Sequence, residues 1–410
     1  MKMEMNAQKV YASILAYMMS FLSLTTLVNG ITNEVGLTTS LDSYVCIALL
    51  IGMFLVGFYF LLLRNAEVKA DTLIVLAFFA CAYLSSMILF PQNKGYLFTN
   101  LTDFFGNPIY SIFLLSLPGY LFARHLKEYS LFCGIMRRYA YAVVALSVIV
   151  FFFTEDSFVT QYLSFSYNML LHLLFLIFYK PQRGIIWHNI LVALGMFVFI
   201  VGGSRGSLVS GAFCCVVYML VTKRYAIQNV IITLLASCVL FVFMIMKNEI
   251  LSSLLSWTTK MNIDSRTIRM ILTSEMLNTS GRDEIALKVL KSINIFGHGM
   301  MGDRVVCSGV YAHNLFLELM CDFGVMLGLI LSVIIIAVVG IGVIKKIKHN
   351  QSWMILMLST GFLKLMLSGS FLDIEPAFYI LLGLCVNSIM ENGTDDKAAE
   401  KNLCANKVSS

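Results

Sequence analysis

The chain has 410 residues, 59% of them hydrophobic and 13% charged, with a mean hydropathy of +0.83. A soluble domain of this length cannot hide so much apolar surface. The net charge of +6 is carried mostly in loops between apolar runs, where it orients a membrane protein, so no nucleic-acid partner is expected.

About twelve apolar runs follow one another along the sequence, each near the roughly 17–25 residues that a helix needs to cross about 30 Å of hydrocarbon. Their cores are Val10–Val28, Tyr44–Leu63, Thr72–Phe90, Phe104–Ala123, Tyr139–Phe153, Tyr162–Tyr179, Ile185–Val201, Ser207–Val221, Ile227–Met246, Asn314–Ile344, Ser352–Gly369 and Ala377–Met390. The first run lacks a small-residue cleavage site and reads as a retained helix. The Tyr139 run is short and can begin earlier. The Asn314 run is long, so its first turns lie outside the hydrocarbon or it tilts. The 10 Cys show no CxxC or Cys/His spacing, so neither zinc nor a disulfide framework is implied.

With both termini in the cytoplasm and the sides alternating, Arg64, Lys69, Arg124, Lys127, Arg137, Arg138, Lys180, Arg183, Lys223, Arg224, Lys345, Lys346 and Lys348 all fall inside, while the short outer loops hold only Lys94 and Arg205. That asymmetry sets the orientation. The domain reading is one multi-span unit over 1–390 and a disordered cytoplasmic tail over 391–410.

One segment departs from the short-loop pattern: a polar outer loop over 247–313. Loops beyond about 60 residues translocate regardless of charge. Ile263–Leu277 reads as a helix. Ser280-Gly281-Arg282-Asp283 reads as a capping box that opens an amphipathic helix with Ile285, Val289 and Ile293 on one face, ended by Gly297. A folded outer loop lying on the membrane surface is where function is expected.

Three constellations bear on chemistry. Gly202-Gly203-Ser204-Arg205-Gly206-Ser207 joins two runs almost without a loop, and the helix N-terminus that follows favours an anion beside Arg205. On residue types alone it reads equally as a Gly-rich hairpin whose Arg reaches water. Arg282 opens the amphipathic helix, either as a ligand contact or as a solvated charge. Gly297-His298-Gly299, Arg304 and Tyr311-Ala312-His313-Asn314 lead into the tenth run, with Asn314, Glu318 and Asp322 spaced by four along one polar stripe. A histidine just before a helix stays neutral and suits a general base, although an interfacial histidine is the plainer reading. Lys364, within a run, is either functional or reaches the surface.

Taken together, Gly202–Gly206, Ser280-Gly281-Arg282, Phe296-Gly297-His298-Gly299, His313-Asn314-Leu315-Phe316-Leu317-Glu318 and Phe323-Gly324 resemble the O-antigen polymerase and ligase superfamily (Wzy/WaaL). The resemblance covers roughly 200–331 by motif. It implies an all-α polytopic membrane protein of about twelve transmembrane helices, with a glycosyltransferase fold of the C type (GT-C). It also implies a donor glycan on undecaprenyl diphosphate at the outer face of a bacterial cytoplasmic membrane. Arg205, Arg282 and, secondarily, Arg304 would hold the diphosphate. His313 would activate the acceptor hydroxyl, with Ser204, Tyr311, Asn314 and Glu318 in support. No cofactor and no metal are expected. A chain-length regulator and a flippase are expected partners beside the membrane lipids. Polymerase is preferred over ligase. A lipid flippase or transporter, and a structural or sensory membrane protein, are the readings from other classes.

Overall fold

The computed structural model describes residues 2–34, 41–63, 69–98, 107–153, 162–179, 181, 184–202, 204–222, 256, 281–373 and 375–390. The expected span Ile227–Met246, the loop helix Ile263–Leu277, Ser280 and the 391–410 tail lie outside the described residues, as does the side chain of Arg205.

Every described element is helical. In chain order they begin with α1 (Lys2–Glu34), α2 (Leu41–Leu63) and α3 (Ala70–Leu89). After a short turn come α4 (Lys94–Leu97), α5 (Pro108–Tyr110), α6 (Leu117–His125), α7 (Tyr129–Phe153), α8 (Tyr162–Phe178), α9 (Ile185–Gly202) and α10 (Arg205–Thr222). The polar segment carries α11 (Arg282–Ser292) and α12 (Gly302–Val306), and α13 (Leu315–Lys348), α14 (Trp353–Leu358), α15 (Lys364–Leu367) and α16 (Pro376–Met390) complete the chain. Five of the helices are long and apolar enough to cross a membrane, and shorter apolar helices pack among them. This is an all-α membrane protein.

Burial separates the centre from the rim. The span Glu4–Val28 is 72% buried, whereas Val45–Leu63 and Ala70–Leu89 are each 22% buried. Thus α1 is the central post, packed on α2, α6 and α7, and α2 and α3 turn Leu55, Leu62, Ile74 and Ile88 outward. Hydrocarbon solvates such a face without cost.

Two wide, π-helical stretches interrupt the bundle. Ser111–Ser116 joins α5 to α6, where Pro118 offers no N–H to the turn before it. Ser359–Leu363 joins α14 to α15 and directly precedes Lys364.

The two ends of the bundle differ chemically. At one end Arg124 chelates Asp71 through Nε (2.6 Å) and Nη2 (2.9 Å) and reaches Asn387 through Nη1 (3.0 Å). Lys69 donates to the Arg124 carbonyl (2.6 Å), and the Lys346 ammonium lies 3.7 Å from the centre of the Tyr129 ring. The opposite end holds the polar segment. Asn93 donates to the carbonyls of His298 (2.7 Å) and Met300 (2.9 Å), and Ser111 donates to that of Asp373 (2.6 Å).

Four boundaries differ from the sequence reading. α7 starts at Tyr129, so Arg137 and Arg138 lie within a helix. α11 is capped by Gly281 in a left-handed conformation (φ 80°) with no side-chain cap, in place of the expected capping box. It ends at Ser292 and not at Gly297. α13 is two helices across a kink at Gly324 (φ 82°, ψ 166°). The expected apolar face of α11 does form: Val289 is buried against Cys307, Ala312 and Cys321, flanked by Ile285 and Ile293.

Candidate active site

The kink in α13 exists because another strand of main chain occupies its place. His298 N donates to the Cys321 carbonyl, Gly299 N to that of Asp322 and Val325 N to that of Asn294, each at 2.9 Å. A Cβ on Gly297 would stand 2.4 Å from Asp322 O and Gly324 N, and one on Gly324 would stand 2.1 Å from Ile295 O. The two glycines let main chain touch main chain. This clasp fixes the far end of the polar segment to the membrane helix.

Within the clasp stands Arg304, 7% exposed. It donates from Nη2 to Asp373 Oδ1 (2.6 Å) and Ser370 Oγ (3.2 Å) and from Nη1 to Asp303 Oδ1 (3.4 Å), with Glu318 Oε1 3.6 Å away. These acids draw its pKa upward against the cost of burial. Arg304, expected as a diphosphate ligand, is engaged here by the carboxylates of Asp303, Glu318 and Asp373, and it joins the polar segment to α13 and to the turn after α15. Glu318, expected as a supporting site residue, is fully buried in the same cage, where it accepts from Ser370 Oγ and from Phe371 N (3.3 Å).

Oxygens of Asp303, Glu318 and Asp322 come within 4.8 Å of one another, a grouping that sequence spacing did not reveal. Hard cations use such oxygens. Here each carboxylate oxygen already accepts from the protein: Asp303 from Arg304 N and Ala312 N, Asp322 from Asp303 N and Met301 N, Glu318 from Ser370 and Phe371. Burial pushes the Asp303 carboxyl up against the pull of Arg304 and those N–H donors.

The other expected residues converge on the end of α15. A helix end leaves carbonyls unpaired, and three of the motif residues take them up. Arg282 Nη1 donates to Leu367 O (2.7 Å), Tyr311 Oη to Ser368 O (2.8 Å) and Asn314 Nδ2 to Met366 O (3.5 Å). Cationic and N–H donors suit that negative end of the dipole. Asn314 also N-caps α13, its Oδ1 accepting from Phe316 N (3.1 Å) and Leu317 N (3.2 Å).

His313 precedes this cap in a left-handed conformation (φ 55°), uncommon for a residue with a Cβ. Its ring lies 4.1 Å from that of Tyr311, and its buried Nδ1 has no hydrogen-bond partner. Burial, and then the nearby Arg282 charge, pushes its pKa down to about 4. The ring is neutral at physiological pH and can accept a proton.

The first turn of α10 reaches the same place. Ser204 Oγ accepts from Ser207 N (3.2 Å), and Ser166 Oγ donates to it (3.1 Å). Ser204 therefore caps α10, which accounts for it without a ligand. A Cβ on Gly206 would lie 3.6 Å from Leu367 Cβ, so the Arg205 turn packs on the residue that Arg282 holds. Behind it, Lys364 Nζ pairs with Glu375 Oε1 at 2.6 Å, both side chains buried.

Arg282, Tyr311, Asn314 and the start of α10 thus surround the segment 366–368, with the His313 ring beside that of Tyr311. None of these three residues was expected at the site, because their contribution is main-chain carbonyls that leave no trace in residue type. Compared with protein-family models, with characterised proteins and with solved structures, the chain gives no match.

Proposed function

We propose that this protein is a glycosyltransferase that polymerises lipid-linked oligosaccharide repeat units at the extracytoplasmic face of a bacterial cytoplasmic membrane, with both termini cytoplasmic. The observation that carries the reading is the neutral, half-buried His313 in the field of Arg282, which in turn shares Leu367 with the first turn of α10. A proton acceptor next to fixed positive charge suits a reaction in which an alcohol attacks and an anion departs.

In that reaction the acceptor sugar hydroxyl gives its proton to His313 as its oxygen bonds to the anomeric carbon of the donor. The bond from that carbon to the undecaprenyl diphosphate breaks, and the diphosphate leaves with the electron pair. Arg282, through N–H groups not used in the Leu367 bond, and the N-terminus of α10 with Arg205 stabilise the departing charge. Tyr311 and Asn314 hold His313 through the carbonyls of α15. Arg304 and Glu318 act only through the cage that anchors this segment.

The test is direct. Purified protein in a defined bilayer, given one lipid-linked repeat unit and no ion gradient, is expected to yield a ladder of longer lipid-linked glycans. No ladder with any lipid-linked donor, but movement of the lipid across the bilayer, would replace this reading with transport. Transfer onto a separate lipid acceptor without lengthening would replace it with ligation.

A further inference from the structure

Tyr167 on α8 was not among the residues expected at the site, yet its hydroxyl stands at the first turn of α10. The residue is 1% exposed. A Cβ on Gly206 would lie 2.1 Å from Tyr167 Oη, so the hydroxyl occupies the space that glycine leaves open. Among the described residues it has no hydrogen-bond partner. Ser210 Oγ lies close by, but the two hydroxyls do not meet hydrogen-bond geometry. A buried, unpaired hydroxyl is destabilising and in a native fold calls for a reason. Its surroundings supply one. Tyr167 feels the charge of Arg282, and the Lys364 ammonium lies 5.9 Å from the centre of its ring. The dipole at the start of α10, where the Ser204 cap takes up Ser207 N, favours an anion at the same place.

We propose that the Tyr167 hydroxyl is a further phosphate-binding donor at the first turn of α10, completing with Arg282 a site for the diphosphate of a polyprenyl lipid. The assignment rests on the glycosyl-transfer reading above. It also explains Gly206, since any side chain there would displace the hydroxyl.

The test uses full-length protein in nanodiscs and three probes: farnesyl diphosphate, farnesyl monophosphate and farnesol. Tyr167→Phe is expected to bind farnesyl diphosphate about tenfold or more weakly than wild type, with farnesol binding unchanged and a melting temperature equal to or above that of wild type, since the unpaired hydroxyl is gone. Gly206→Ala is expected to weaken diphosphate binding too, and the Gly206→Ala/Tyr167→Phe pair to bind no better than Tyr167→Phe. Equal binding by Tyr167→Phe and wild type overturns the proposal. So does recovery of wild-type affinity in the double variant, because the oxygen would then be only a spacer. Fluorotyrosine at position 167 gives a reading that keeps the hydroxyl: its fluorine resonance should move with farnesyl diphosphate and not with farnesol, and a resonance indifferent to both overturns the proposal. If wild type itself prefers farnesyl diphosphate no more than farnesol, the diphosphate reading of the whole site fails, a result distinct from failure at Tyr167 alone.

Discussion

Arg282 donates to the main-chain carbonyl of Leu367 at 2.7 Å, across 85 residues of sequence. The bond orients a guanidinium at the end of α15, and among the described residues its other N–H groups make no hydrogen bond, which suits the leaving-group role proposed for it.

Replacing Arg282 with Ala is therefore expected to lower the rate of glycan extension by about 100-fold or more, the usual loss when a donor to developing charge is removed. Thermal stability should fall by no more than about 1.5 kcal/mol, one hydrogen bond's worth. Lys at this position should fall between, since it keeps the charge but not the fork. Extension assays and unfolding curves on the same preparations check both halves.

His313 has a distinct pH signature. Its pKa in the folded protein is about 4, below the unfolded value of about 6.5. The base form is thus complete well above pH 5, and a profile of kcat/KM should show no histidine inflection near 6.5, falling only as pH nears 4. Stability runs the same way. Between those values the unfolded chain holds the proton and the folded chain does not, so the His313 contribution is whole above about pH 6.5 and shrinks as pH falls towards 4. An activity limb centred at 6.5 would contradict this environment for the ring.

Arg304→Met is expected to destabilise the protein by about 3–5 kcal/mol, because it strands the buried Asp303 and Glu318 carboxylates. Asp373→Asn should be much milder, since that side chain is 44% exposed. Melting temperatures separate the two, and a well-folded Arg304→Met protein that has lost only diphosphate affinity would return Arg304 to the ligand-binding group.

Gly324→Ala and Gly297→Ala should each cost about 2 kcal/mol or more, from the positive φ and from main-chain atoms closer than any Cβ tolerates. Gly52→Ala, where a Cβ meets nothing within 4 Å, should be neutral. Limited proteolysis and thermal unfolding provide the comparison.

Of the twelve runs that hydropathy marked, five form helices long and apolar enough to cross a membrane among the described residues; lipid-facing and buried positions are both apolar, so such helices stand out as runs. Helix ends were harder. Gly281 caps α11 through its backbone conformation, and no residue type announces that. Asn314 was read as the first residue of its run, whereas it stands just outside the helix and caps it. The polar stripe of Asn314, Glu318 and Asp322 was visible from spacing, but its meaning was not: Glu318 and Asp322 meet Asp303 only because the clasp folds the segment back. Arg304 looked like an anion ligand for the same reason, since the acids that surround it come from positions 303, 318 and 373. Tyr167 lay in an ordinary apolar run, with nothing to mark the glycine it faces.

The main-chain bonds between 294–299 and 321–325 turn everything between them into a closed ring. His313 and Arg304 ride on that ring and not on a flap. The ring cannot swing open on a hinge without first breaking three backbone hydrogen bonds and a buried ion-pair cage. On the proposed reading, the acceptor would meet His313 on a fixed ring and not beneath a closing gate.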